Sequence, residues 1–112
     1  MSDCLFCKMV AGVIKPDVVF EDDNVLAFRD INPRAPVHVL VIPKQHVPTL
    51  NELASPELAG QLLQAAAAVA KQEGLADNGY RVNINCNKHG GQEVYHLHLH
   101  VLGGRQMAWP PG

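Results

Sequence analysis

No cluster of lysine and arginine runs through this 112-residue sequence, and its formal net charge is only −2. A nucleic-acid polymer is therefore not the expected partner, because such proteins carry a basic stripe or patch. No apolar run approaches the ~20 residues that cross a bilayer. The N-terminus opens on Asp3 and two cysteines rather than a basic stretch followed by an apolar one, so no secretory leader is expected. No membrane partner and a cytoplasmic location follow as expectations. Cysteine is scarce and odd in number, with only Cys4, Cys7 and Cys86, which suits a reducing compartment better than a disulfide framework. Internal repeats are absent, and the run Ala65 to Ala68 is ordinary helix composition. What remains is a chain with 47% hydrophobic residues, long enough for one domain with one core and no covalent staples.

The most informative stretch is Val94-Tyr95-His96-Leu97-His98-Leu99-His100-Val101-Leu102. Strict alternation with no internal Gly or Pro reads as a strand. Side chains on a strand point alternately to opposite faces, so Tyr95, Leu97, Leu99 and Val101 share one face and His96, His98 and His100 the other. The first face needs a core. Three imidazoles at steps of about 7 Å along the second do little for stability, since each ring needs hydrogen-bond partners. They point instead to a ligand, a metal or a phosphate.

Around this stretch the chain reads as short elements. Asp3 can cap a helix from Cys4 to Ala11, with Gly12 as its stop. Val18-Val19-Phe20 and Val25-Leu26-Ala27-Phe28 flank the acidic turn Glu21-Asp22-Asp23-Asn24, a β-hairpin pattern. Asp30 to Pro36 holds two prolines and is a rigid connection. Val37-His38-Val39-Leu40-Val41-Ile42 is nearly continuous apolar sequence ended by Pro43, which suits an interior strand. His38 is its one polar intruder. Lys44 to Leu53 is a loop carrying His46.

Ser55, with Pro56 and Glu57 behind it, opens a helix. Its stripe Leu58, Leu62, Leu63, Ala66, Val69 and Ala70 faces a sheet, and Gly74 ends it. Tyr80 to Asn85 alternates, predicting Tyr80, Val82 and Ile84 inward. Cys86 to Glu93, including His89 on a solvated loop, leads into the histidine strand, and Gly103-Gly104 breaks it. Five strands and two helices, one long and one short, predict an α+β domain with a mostly antiparallel sheet.

Gly90-Gly91-Gln92-Glu93 stands immediately before the histidines. Paired glycines let backbone approach a ligand and align N–H groups toward an anion. Neutral imidazole is a competent nucleophile toward phosphorus when its other nitrogen donates to an acceptor. His98, flanked on both sides, is the best-oriented ring and the expected nucleophile. His96 and His100 are expected to position it or the phosphate oxygens. A metal-dependent hydrolase using all three rings fails on reach, because alternate positions of one strand span too far to meet around one ion at about 2 Å each.

His96-Leu97-His98-Leu99-His100-Val101-Leu102 resembles the signature of the histidine triad (HIT) family. Gly90 to His96, Leu102 to Met107 and Trp109-Pro110-Pro111-Gly112 resemble its nucleotide-binding (Hint) branch. Phe6, Phe20 to Asp23, Ala27 to Ile31 and Val41 to Lys44 extend the likeness over almost the whole chain, read as a single HIT domain 1–112 with a C-terminal tail 103–112.

The resemblance implies a homodimer whose sheet continues across the interface. It also implies a purine nucleoside phosphoramidate hydrolase, taking adenosine 5′-phosphoramidate and aminoacyl or acyl adenylates to AMP. In that setting His98 forms a nucleotidyl-histidine, Asp30 holds the ribose, and Ile31 and Phe6 line the base pocket. Asn85, Gly91, Gln92, Glu93, Val94 and His100 surround the α-phosphate, and His38 joins a proton relay to the leaving amine. Trp109 reaches toward the partner's site. Glu93 stands where many relatives have Ser, and Ala108 where close relatives have His, both touching leaving-group contacts. An AMP- or GMP-binding regulatory module with incidental hydrolysis uses the same pocket and is the competing reading.

The spacing Cys4-Leu5-Phe6-Cys7 offers two thiolates to one Zn²⁺, or equally two small thiols packed on a helix's inner side. The resemblance implies a structural zinc completed by His46 and His96. In that case His96 cannot shuttle protons, and the chemistry at His98 requires no cofactor.

Overall fold

The computed structural model describes residues 3–112. Val18–Glu21 (β1) and Val25–Arg29 (β2) form the hairpin read from the sequence. Its acidic turn is closed by Asp22 Oδ1, which accepts the N–H groups of Asn24 and Val25, both at 2.8 Å. Val37–Pro43 (β3) follows, then a single 3₁₀ turn at Leu50–Glu52 and the long helix Pro56–Gln72 (α2). Tyr80–Ile84 (β4) and Leu99–Gly103 (β5) complete a five-stranded sheet of order β1-β2-β3-β5-β4. Every pairing is antiparallel. The α+β expectation holds, with antiparallel pairing throughout.

β3 is buried on both faces, as its continuous apolar sequence requires. On one face Val25, Ala27, Val39, Val41, Leu97, Leu99 and Val101 pack against Leu58, Leu62, Ala65, Ala66, Val69 and Ala70 of α2. On the other, Leu26, Phe28, Leu40 and Ile42 pack against Phe6, which the short helix Leu5–Val10 (α1) lays across them. α2 begins where expected, with Ser55 Oγ accepting the Leu58 N–H at 3.1 Å. Gly74, at φ +78, ends it in the left-handed conformation that costs glycine least.

Four local expectations need correction. The cap of α1 is Cys4, whose Sγ accepts the Cys7 N–H at 3.3 Å, and not Asp3. In α2 the inward position belongs to Ala65, and Leu63 is exposed, because the helix stripe rotates away from it. Tyr80 and Val82 stand partly open to solvent, because β4 is the sheet's edge and α2 lies over β1, β2, β3 and β5 instead.

The histidine strand also starts late. Ladder pairing begins at Leu99, and the chain before it is irregular, bending through residues 94 to 96. There Leu97 donates its N–H to Val47 O at 2.7 Å, a loop partner in place of a strand. Tyr95, expected on the core face, is exposed. The side-chain alternation nevertheless survives: Leu97, Leu99 and Val101 are in the core, and the three histidines face the other way.

Candidate active site

Sheet register builds the site. Leu40 pairs with His100 and His38 with Leu102 across β3 and β5, so His38 and His100 are diagonal neighbours on the α1 face of the sheet. Their rings meet at 2.8 Å, His38 Nε2 to His100 Nδ1. The direction of this bond is fixed from outside, since the backbone N–H of Arg34 donates to His38 Nδ1 at 3.0 Å. A neutral His38 must then carry its proton on Nε2 and donate it to His100 Nδ1, which places the His100 proton on Nε2. That His100 Nε2 is buried and has no partner among the described residues. It is an N–H group waiting for an acceptor.

Both rings are held neutral. Burial drives the His100 pKa down to about 4, with His98 and His38 adding to the depression against a weaker opposing pull from Asp30. Burial likewise lowers His38, again against Asp30. The Asp30 carboxylate lies 3.5 Å from His38 Nε2, and its other oxygen accepts the Asn32 N–H at 2.8 Å.

His98 is oriented by its own neighbour. Nδ1 donates to the carbonyl of His96 at 2.8 Å, which leaves Nε2 unprotonated with its lone pair available. The ring stands edge-on to Phe6, with centroids 5.3 Å apart, and lines a cavity of about 420 Å³. Phe6, Met9, Phe28 and Leu40 give this cavity an apolar side, while Asp30, Ile31, Gly91, Glu93 and Val94 close the rest. A second cavity, of about 520 Å³, holds Arg34, Arg81 and Arg105. Asp30, Asn32, Asn85, Glu93 and His100 line both.

The loop before the histidines differs from the picture drawn from its glycines. The Gly91 N–H donates to Lys88 O and the Gln92 N–H to Asn87 O, both at 3.0 Å. Those amides are spent inside the loop. The Gln92 side chain is buried and turned inward, donating to Pro48 O and Val94 O and accepting the Asn87 N–H. It braces the loop from behind. The next two backbone N–H groups, of Glu93 and Val94, have no partner among the described residues, and both residues line the His98 cavity. Asn85 Oδ1 accepts from Asn83 at 2.8 Å, leaving its own amide N–H groups for the cavities. Trp109 is exposed and lines neither cavity.

The cysteines and the remaining histidines form a second centre. One ligand atom from each of Cys4, Cys7, His46 and His96 lies within 4.8 Å of every other. Cys4 Sγ is 3.3 Å from His96 Nδ1, and Cys7 Sγ is 3.2 Å from His46 Nδ1. His96 Nε2 donates to the Pro43 carbonyl at 2.8 Å, so Nδ1 offers its lone pair to the thiols, as in a histidine whose outer nitrogen is anchored while the inner one binds metal. Burial lowers the His96 pKa and keeps that lone pair free. Two sulfurs and two nitrogens so gathered fit a tetrahedral Zn²⁺. Asp30, His38 and His100 also converge, but a His38 Nε2 that carries a proton is a poor ligand.

Asn32, Arg34, Arg81 and Arg105 were not legible as site residues. They come from three separate segments, Asn32 with Arg34 in one, with no shared spacing. The only sequence cue is a modest one: Arg81 lies on the predicted strand face that also carries Asn83 and Asn85.

The HIT domain family model matches residues 11–107. The chain belongs to the HIT family. Its kinship lies with the nucleotide-binding Hint branch. It is 47% identical over 108 residues, 95% of this chain and 91% of the relative, to a protein of Escherichia coli K12 named purine nucleoside phosphoramidase. It is 54% identical over 116 residues, 99% of this chain and 89% of the relative, to the 14 kDa zinc-binding protein of Zea mays. In three dimensions it matches a HIT family hydrolase from Legionella pneumophila with a TM-score of 0.96 and 56% identity, covering 98% of this chain and 100% of that one.

Proposed function

We propose that this protein hydrolyses purine nucleoside 5′-phosphoramidates, such as adenosine 5′-phosphoramidate and related adenylates, to the nucleoside monophosphate. The observation that carries this reading is the tautomer of His98. Its Nδ1–H is committed to the His96 carbonyl, so Nε2 is the ring atom free to attack phosphorus in the adjoining cavity. The base rests against Phe6, Phe28 and Leu40, with Asp30 at the ribose. The phosphate oxygens take the His100 Nε2–H and the N–H groups of Glu93 and Val94.

His98 Nε2 forms a bond to phosphorus as the P–N bond breaks. The amine leaves with that electron pair and a proton drawn from solvent. Water then attacks phosphorus, loses a proton to solvent, and releases AMP with His98 restored. His38 serves this sequence by fixing the tautomer of His100.

Two further features belong to the same reading. Cys4, Cys7, His46 and His96 hold a structural Zn²⁺ that clamps α1 to the sheet, and the reaction itself needs no metal because His98 attacks directly. The chain works as a homodimer joined through the β4 edge, where Tyr80 and Val82 are part-exposed and no strand among the described residues is paired beyond them.

The test is release of AMP from adenosine 5′-phosphoramidate. His98→Asn is expected to lower the rate by roughly a thousandfold or more while AMP still binds, and a slowed reaction should show wild-type chain carrying the added mass of AMP. Tight AMP binding by the wild type with no turnover would replace the hydrolase by a nucleotide-binding module.

A further inference from the structure

Beyond the shared residues Asp30, Asn32, Asn85, Glu93 and His100, the second cavity is lined by three arginines, Arg34, Arg81 and Arg105, with His38, Asn83 and a few apolar residues. None of the three forms an ion pair among the described residues. Arg81 donates to Ala108 O at 2.7 Å, and Arg105 to Arg34 O at 2.9 Å. Neutral carbonyls thus hold two of the guanidinium groups without cancelling their charge. Three segments far apart in sequence converge on one hollow and bring three positive charges to it. The carboxylates of the hollow, Asp30 and Glu93, are shared with the His98 cavity and so mark the boundary between the two.

We propose that this cavity receives the leaving group, and that it selects amines carrying a negatively charged substituent, the amino acids above all. This assignment rests on the phosphoramidate reading given above. The charge layout matches such a product at both ends. The nitrogen freed from phosphorus becomes an ammonium, which Glu93 at the boundary favours. The carboxylate carried on the same molecule meets the arginines, which bind planar carboxylates in a forked geometry that lysine cannot copy. An amine without a charged substituent fills the same space but leaves the guanidinium groups with only water and their carbonyl partners.

The test compares adenosine 5′-phosphoramidates of β-alanine, β-alaninamide and taurine, which present a carboxylate, a neutral amide and a sulfonate on nearly the same skeleton. The β-alanine compound is expected to exceed β-alaninamide by about tenfold in kcat/KM, the size of one or two partly screened ion pairs. The advantage should shrink as salt rises. Arg81→Met and Arg34→Gln should each cut the ratio of the two rates, and the double variant should bring it near one. Arg34→Gln changes a side chain on the connection before β3, so it probes the charge even if Arg81→Met disturbs the sheet edge. A preference for taurine over both would assign the cavity to a tetrahedral anion and support the charge argument. Equal rates for all three compounds, or a ratio that survives the double variant, would overturn the assignment and leave the hydrolase reading intact. Absence of turnover on all three, and on adenosine 5′-phosphoramidate itself, would overturn the hydrolase reading and this one with it.

Discussion

A single backbone N–H decides the protonation pattern of the site. By donating to His38 Nδ1, Arg34 sends the His38 proton to Nε2 and the His100 proton to its cavity-facing nitrogen. His38→Phe keeps an aromatic ring but removes the donor, so His100 is free to take the wrong tautomer. kcat is expected to fall about 10- to 100-fold, the loss typical of a removed orienting partner, in steady-state assays of AMP release. His38→Gln, whose amide can still donate, should recover part of it. The same pair sets a pH dependence of stability. The folded His100 titrates near 4, below its ordinary 6.5, so as pH falls the unfolded chain takes up its proton first. Stability should be full above about pH 6.5, decline from there toward pH 4 and then level off. The loss from His100 alone is roughly 3 kcal/mol, with His38 adding in the same direction. Urea titrations across this range would show it, and a curve flat between pH 7 and 4.5 would contradict it.

At the scale of elements, the hairpin, β3 and α2 were readable because their signals are local: an acidic turn, a continuous apolar run, and a Ser-Pro-Glu cap. Alternation through residues 94 to 102 fixed which face each histidine takes. It could not show where pairing begins, because side chains can alternate in a bent segment bonded to a loop, as Leu97 is to Val47. For the same reason Tyr80 and Val82 read as core, since period alone does not tell whether a helix reaches the edge strand. Gln92 was read as a phosphate contact when its amide braces the loop, a role that depends on Pro48 from a distant segment. The loop itself is tightly closed at Gly90, where an added Cβ would lie 2.5 Å from the Cys86 carbonyl oxygen and 2.6 Å from its nitrogen. Gly90→Ala must therefore shift backbone. The expected result is AMP affinity weakened by about tenfold or more with the melting temperature little changed, read by calorimetric titration and thermal denaturation, since a displacement of 1 Å is costly to a positioned site.

For the whole molecule, the proposed metal and dimer make separable predictions. Chelation should lower the melting temperature by several degrees and leave kcat largely intact. The cost should fall on KM, because Phe6 packs against both His96 and His98 and walls the cavity proposed to hold the base. Loss of kcat restored only by Zn²⁺ would contradict a purely structural metal. Val82→Lys, which puts a charge on the open edge of β4, should convert a dimer to monomer in light scattering. A wild-type chain that is already monomeric would remove the dimer. The aim of His98, by contrast, is set by the peptide carbonyl two residues before it. The sighting of the proposed nucleophile is thus written into three consecutive residues. Side chains elsewhere could drift widely over evolutionary time, retuning what the protein accepts, while the point of attack stayed where it was.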